Sequence, residues 1–142
     1  MKTSTYIKTM FFLSLAGFLF SGYLSAIKLF EHTCAFNSPC PYFLGYPSCW
    51  YGFSMFTIIL IASISNWYKS EYLNRATKVI SIVSGLGILF SGYFTIPEIE
   101  KFMTYLNTGA KLNLPTCAFG LIFYIIIFSL SLQYLKQKHP SV

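Results

Sequence analysis

Gly17-Phe-Leu-Phe-Ser-Gly-Tyr-Leu-Ser25 decides how this chain is read. It lies inside an apolar block, residues 10–29, and a bilayer core about 30 Å thick takes roughly 20 mostly apolar residues per helix. The same local sequence returns as Gly87-Ile-Leu-Phe-Ser-Gly-Tyr-Phe-Thr95, identical at six of nine positions. A second pair follows, Pro47-Ser-Cys-Trp-Tyr-Gly-Phe53 and Pro115-Thr-Cys-Ala-Phe-Gly-Leu121, in which Pro, Cys and Gly are retained. The offsets are 70 and 68 residues, so the two halves differ only by a short change in a loop. An internal period of this kind marks a tandem repeat.

Three further apolar blocks of membrane length accompany the first: 49–67, 79–96 and 115–135. The 142 residues are 55% hydrophobic and only 10% charged, whereas a soluble domain carries about 25% charged residues. That deficit excludes an ordinary water-facing surface, and so much apolar area excludes a disordered chain. In lipid every backbone N–H must be satisfied within its own segment, so the blocks are expected to be helices. Strands of a barrel would show alternation over ten-residue units, and none is present. The expected fold is all-α, an integral membrane four-helix bundle forming a single transmembrane domain over 1–142. It is built from two tandem two-helix hairpin repeats, about 9–68 and 79–135. Lys2 and Lys8 before an apolar run resemble a signal peptide, but recurrence of the run within the chain argues for a span. Two spans per repeat give both halves one orientation, with the pseudo-axis along the membrane normal. Ser21, Gly22, Ser91 and Gly92 are small enough to let helices approach closely.

Lys and Arg near the span ends set the orientation. The N-terminus, the second loop and the C-terminus hold seven (Lys2, Lys8, Lys69, Arg75, Lys78, Lys136, Lys138), and the first and third loops hold three (Lys28, Lys101, Lys111). Both termini are therefore expected to be cytoplasmic, in a cell (plasma or inner) membrane crossed several times. The net charge of +6 is a topology signal and gives no reason to invoke nucleic acid. Tyr6, Trp50, Tyr51, Trp67, Tyr68 and Tyr134 are read as interfacial anchors. Glu98 and Glu100, following Pro97, are read as lying in a solvated loop, and Lys28 with Glu31 as an exposed pair.

The four cysteines, Cys34, Cys40, Cys49 and Cys117, all fall at or beyond the extracytoplasmic face in this topology, where disulfides persist. Four cysteines allow three pairings. The most economical joins Cys34 to Cys40 across a short loop and Cys49 to Cys117 between the halves. Pro47 and Pro115 stand where a helix can begin, which places Cys49 and Cys117 in the first turns of spans two and four. Two readings compete. The bonds are staples of a small bundle, or one pair exchanges disulfides with the other and passes electrons between an external protein and a membrane carrier. Exchange needs a reactive, accessible sulfur, and a sulfur beside lipid is within reach of an apolar quinone. His32 beside Cys34 matches no regular zinc spacing, so no metal site is expected.

Taken together, Gly17 to Leu29, Cys34, Cys40 and the run Gly45-Tyr-Pro-Ser-Cys-Trp-Tyr-Gly52 resemble the vitamin K epoxide reductase family. Phe90-Ser-Gly-Tyr93 and the cysteine opening the last span resemble that family's third and fourth spans. The resemblance implies a four-helix bundle that oxidises a thioredoxin-like extracytoplasmic protein and passes electrons to a quinone. It also implies that Cys34 and Cys40 are the shuttle pair and that Cys117 is the second cysteine of a CxxC. The first position of that motif is Leu114, so an intact CxxC is absent. Cys49, from the neighbouring hairpin, is the expected substitute, which makes Cys49 and Cys117 the candidate catalytic pair. The alternative is a non-catalytic membrane protein of the same fold with structural disulfides. No residue in the sequence locates a quinone site, and the span interiors hold too few charges for an ion transporter.

Overall fold

The computed structural model describes residues 2–31, 42–68, 70–109 and 116–138. Helix α1 runs Thr3–Glu31, α2 Ser48–Tyr68, α3 Leu73–Thr108 and α4 Thr116–Lys138. Each of the four is long and apolar enough to cross a bilayer. The chain is thus an all-α multi-pass membrane protein. Two short strands, β1 (Tyr42–Phe43) and β2 (Tyr46–Pro47), form an antiparallel hairpin immediately before α2. Leu44 and Gly45 turn it, with φ of 50° and 84°. Positive φ at both central residues is the two-residue turn whose twist matches paired strands. A 3₁₀ turn, Ser70–Tyr72, links α2 to α3.

Helix α3 is longer than the block 79–96 suggests. Pro97 lies inside it, removing one hydrogen bond, and the helix continues for eleven residues to Thr108. It stops at Gly109, whose φ is 67° and whose N–H bonds the Tyr105 carbonyl at 3.0 Å, a left-handed cap. Glu98 and Glu100, expected in a loop, are therefore helical.

Each helix packs mainly on its hairpin partner, α1 on α2 and α3 on α4, while α2 and α3 join the halves. Burial follows the tandem sequence further than the identities quoted above. Ser14 and Ser84 are both fully buried, as are Ile59 and Ile127 and also Met10 and Ile80 to within 1%. Ser21 with Ser91 and Ser63 with Ser131 complete a line of small buried residues. Several of these hydroxyls are satisfied within their own helix, Ser14 on the Phe11 carbonyl, Ser63 on Ile59 and Ser84 on Ile80. They add no chemistry but keep the helices close.

Gly17 and Gly87 show why. A Cβ on Gly17 would fall 2.3 Å from the Phe56 ring, and one on Gly87 2.6 Å from the Tyr124 ring. Each ring lies flat against a bare stretch of the neighbouring helix. Tyr6 and Tyr134, expected at the membrane surface, are instead core residues, 0% and 7% exposed and stacked with ring centroids 4.2 Å apart. The Tyr6 hydroxyl reaches the Thr77 hydroxyl at 3.4 Å, which lets a phenol sit in an apolar core. Trp67 and Tyr68 are exposed, in keeping with an anchoring position.

Candidate functional site

Pro47 closes the β-hairpin and Ser48 opens α2, so Cys49 sits in the first turn of that helix. Cys117 occupies the first turn of α4. Both thiols are partly buried, unbonded to one another, and line a single narrow crevice of about 50 Å³. A space of that size admits a few water molecules. The two sulfur positions are near enough to interact electrostatically.

The crevice is built from matched positions of the two halves. Phe20 and Phe90, Ser21 and Ser91, and Leu24 and Phe94 supply its walls from α1 and α3. Cys49 and Cys117, Gly52 and Gly120, and Phe56 and Tyr124 supply the rest from α2 and α4. Ser48 adds a hydroxyl to the lining. The site therefore lies where the two hairpins meet, and the repeat itself generates the pairing of sulfurs. Tyr124 reaches across it, its hydroxyl donating to the Gly52 carbonyl at 3.2 Å.

Two polar groups border the sulfurs. The Ser48 side chain approaches both thiols, although its hydroxyl has no hydrogen bond of ordinary geometry. Glu98, one turn past Phe94 on α3, lies within electrostatic reach of Cys117. Both carboxylate oxygens are enclosed and have no hydrogen-bond partner among the described residues. Glu98 is a candidate site residue that the sequence reading sets in a solvated loop. Ser91, Phe94, Thr95 and Glu98 share the spacing of one helix face, and the first three are buried. The signal was present but cut short by reading Pro97 as a helix end.

The β-hairpin packs beside the crevice. The Phe43 ring meets Phe90 and Phe94 edge-on at 5.5 and 6.2 Å, and its carbonyl accepts from the Tyr51 hydroxyl at 3.2 Å. Lys28 lies over the Tyr42 ring, 5.2 Å from its centroid. The hairpin thus links the segment after Cys40 to the crevice walls. Cys34, Cys40 and His32 lie outside the described residues, as do Leu114 and the Glu31 side chain.

No protein-family model, no curated protein and no solved structure matches the chain.

Proposed function

We propose that this protein is a membrane thiol–disulfide oxidoreductase resembling vitamin K epoxide reductase, with Cys49 and Cys117 as its exchanging pair. The observation that carries the reading is the meeting of two repeat-related thiols in one apolar crevice, with an enclosed carboxylate near Cys117. In the oxidised state the two sulfurs share a disulfide. An external dithiol attacks one sulfur, the Cys49–Cys117 bond breaks, and a mixed disulfide forms. The partner's second thiol then displaces the mixed bond, leaving the partner oxidised and both cysteines reduced. Two electrons and two protons have entered the crevice.

Glu98 stands where it can take the Cys117 proton. An enclosed carboxylate near the thiol is a suitable proton acceptor. Cys34 and Cys40 carry electrons from the soluble partner, a thioredoxin-like protein, to the crevice. The crevice lining fits the edge of a flat apolar ring, with Phe20 and Phe90 as walls and Gly52 and Gly120 presenting no side chain. A quinone, if bound beside these walls, would supply the two-electron oxidation that restores the disulfide. The distribution of Lys and Arg supports cytoplasmic termini with the four cysteines on the outer side.

The test is reduction of a short-chain quinone by the purified full chain with a dithiol as electron donor. Turnover that is lost in both Cys49→Ser and Cys117→Ser supports the reading. Turnover that survives either substitution, or none in the unaltered chain, refutes it and leaves the cysteines as structural.

A further inference from the structure

A second pocket lies at the opposite end of the bundle, where α1 starts and α2 finishes. Thr3, Ser4, Ile7 and Lys8 of α1 and Asn66 and Trp67 of α2 enclose a groove of about 400 Å³. Asn66 is only 2% exposed, yet neither its Oδ1 nor its Nδ2 has a hydrogen-bond partner among the described residues. A buried side-chain amide left wholly unpaired is rare in native proteins and calls for a partner. The first turn of α1 points the same way. The Tyr6 N–H is bonded to the Lys2 carbonyl at 3.0 Å, which leaves the preceding amides of the turn as donors without helical partners. The first turn of that 29-residue helix holds no acidic residue to offset its positive end.

We infer that this groove binds a phosphoryl group, that of a phospholipid whose headgroup also carries an O–H or N–H donor. The phosphoryl oxygens accept from the helix start, the Lys8 ammonium, the Thr3 and Ser4 hydroxyls and the Asn66 Nδ2. Asn66 Oδ1 accepts instead of donating, so the ligand must also bring a donor, which a glycerol or ethanolamine headgroup has and choline lacks. Position favours a lipid as the source. The groove sits at the end of two membrane-length helices beside the exposed Trp67, the level at which headgroups lie. Ile7 gives the groove an apolar side on which an acyl chain can start.

Native mass spectrometry of the full chain released from neutral detergent tests this, with phosphatidylglycerol, phosphatidylcholine or diacylglycerol added in turn. Phosphatidylglycerol should be retained in preference to both others. Lys8→Gln and Asn66→Leu should each lower its retention about tenfold, the worth of a charge-assisted or buried hydrogen bond. Lys101→Gln, at the cysteine end, should leave it unchanged. Asn66→Leu should at the same time raise the melting temperature of the lipid-free protein, because it removes an unpaired buried amide; a misfolded variant would move the other way. Inorganic phosphate is the remaining arm. Asn66-dependent stabilisation by phosphate equal to that by lipid keeps the phosphoryl site but makes its ligand soluble. Equal retention of diacylglycerol, or retention indifferent to both variants, overturns the site and leaves the groove to water.

Discussion

Phe56 and Tyr124 stack face to face between the two hairpins, with ring centroids 4.5 Å apart and planes 13° from parallel. Each stands seven residues after its cysteine, Cys49 or Cys117, so the stacked pair lies two helical turns inside the bundle from the sulfurs. The rings are 1% exposed and floor the crevice. They hold α2 against α4 at the depth that fixes how closely the helix starts, and hence the thiols, approach.

Truncating one ring should loosen that register. Tyr124→Ala is expected to lower stability in detergent by about 3–5 kcal/mol, the usual loss for a buried aromatic. Tyr124→Phe keeps the stack and loses only the bond to Gly52, and should lower it by roughly 0.5–1.5 kcal/mol. Thermal or denaturant unfolding of the purified variants measures both. Equal effects would show that the hydroxyl, not the ring, holds the helices together.

Glycine substitutions separate packing contacts from open positions. Gly17→Ala and Gly87→Ala press a methyl into the Phe56 and Tyr124 rings and should each destabilise by about 1–3 kcal/mol. Gly92→Ala meets nothing within 4 Å and should be neutral, or stabilise by up to about 1 kcal/mol through helix propensity. Melting temperatures of the three variants in one detergent give the ranking. A Gly92 variant as unstable as the other two would contradict the packing described here.

Much of this architecture was legible before any coordinates. Four apolar blocks of membrane length announce four helices, because lipid leaves the backbone no other way to satisfy its N–H groups. Proline–cysteine–glycine recurrence put Cys49 and Cys117 at corresponding helix starts. What composition concealed was direction around each helix. Tyr6 and Tyr134 have the residue type and chain position of surface anchors, yet they stack in the core, because stacking and the Thr77 hydroxyl satisfy them there. Pro97 carries a strong helix-ending signal, yet it costs a single hydrogen bond and the helix runs through it to Thr108. Reading it as an end removed Glu98 from the helix face on which it approaches Cys117.

Glu98→Gln keeps the shape of the side chain and removes its ability to take a proton. Quinone-linked turnover should fall roughly 100-fold, at the low end of the range for lost acid–base assistance. Bridging of the two cysteines by an added chemical oxidant should still occur, since the sulfurs have not moved. Steady-state rates beside a gel-shift assay of the bridge distinguish the two. An undiminished rate would remove Glu98 from the chemistry.

The basic residues predict sidedness. A fluorescent protein fused to the C-terminus should fold and emit, as it does only in the cytoplasm, and alkaline phosphatase fused there should be inactive. Membrane-impermeant maleimide should reach a cysteine introduced at Lys101 and not one introduced at Arg75. Reversed labelling would place the crevice on the cytoplasmic face and remove the oxidising compartment on which the proposed reaction depends.

The most direct measurement is a thiol-trapping map in intact membranes, with alkylation followed by mass spectrometry across a graded series of redox buffers and with quinone added or withheld. The account predicts a Cys49–Cys117 disulfide that opens under mild reductant and re-forms when quinone is supplied. A chain in which these two cysteines never join, or join in a bond that mild reductant cannot open, would contradict it.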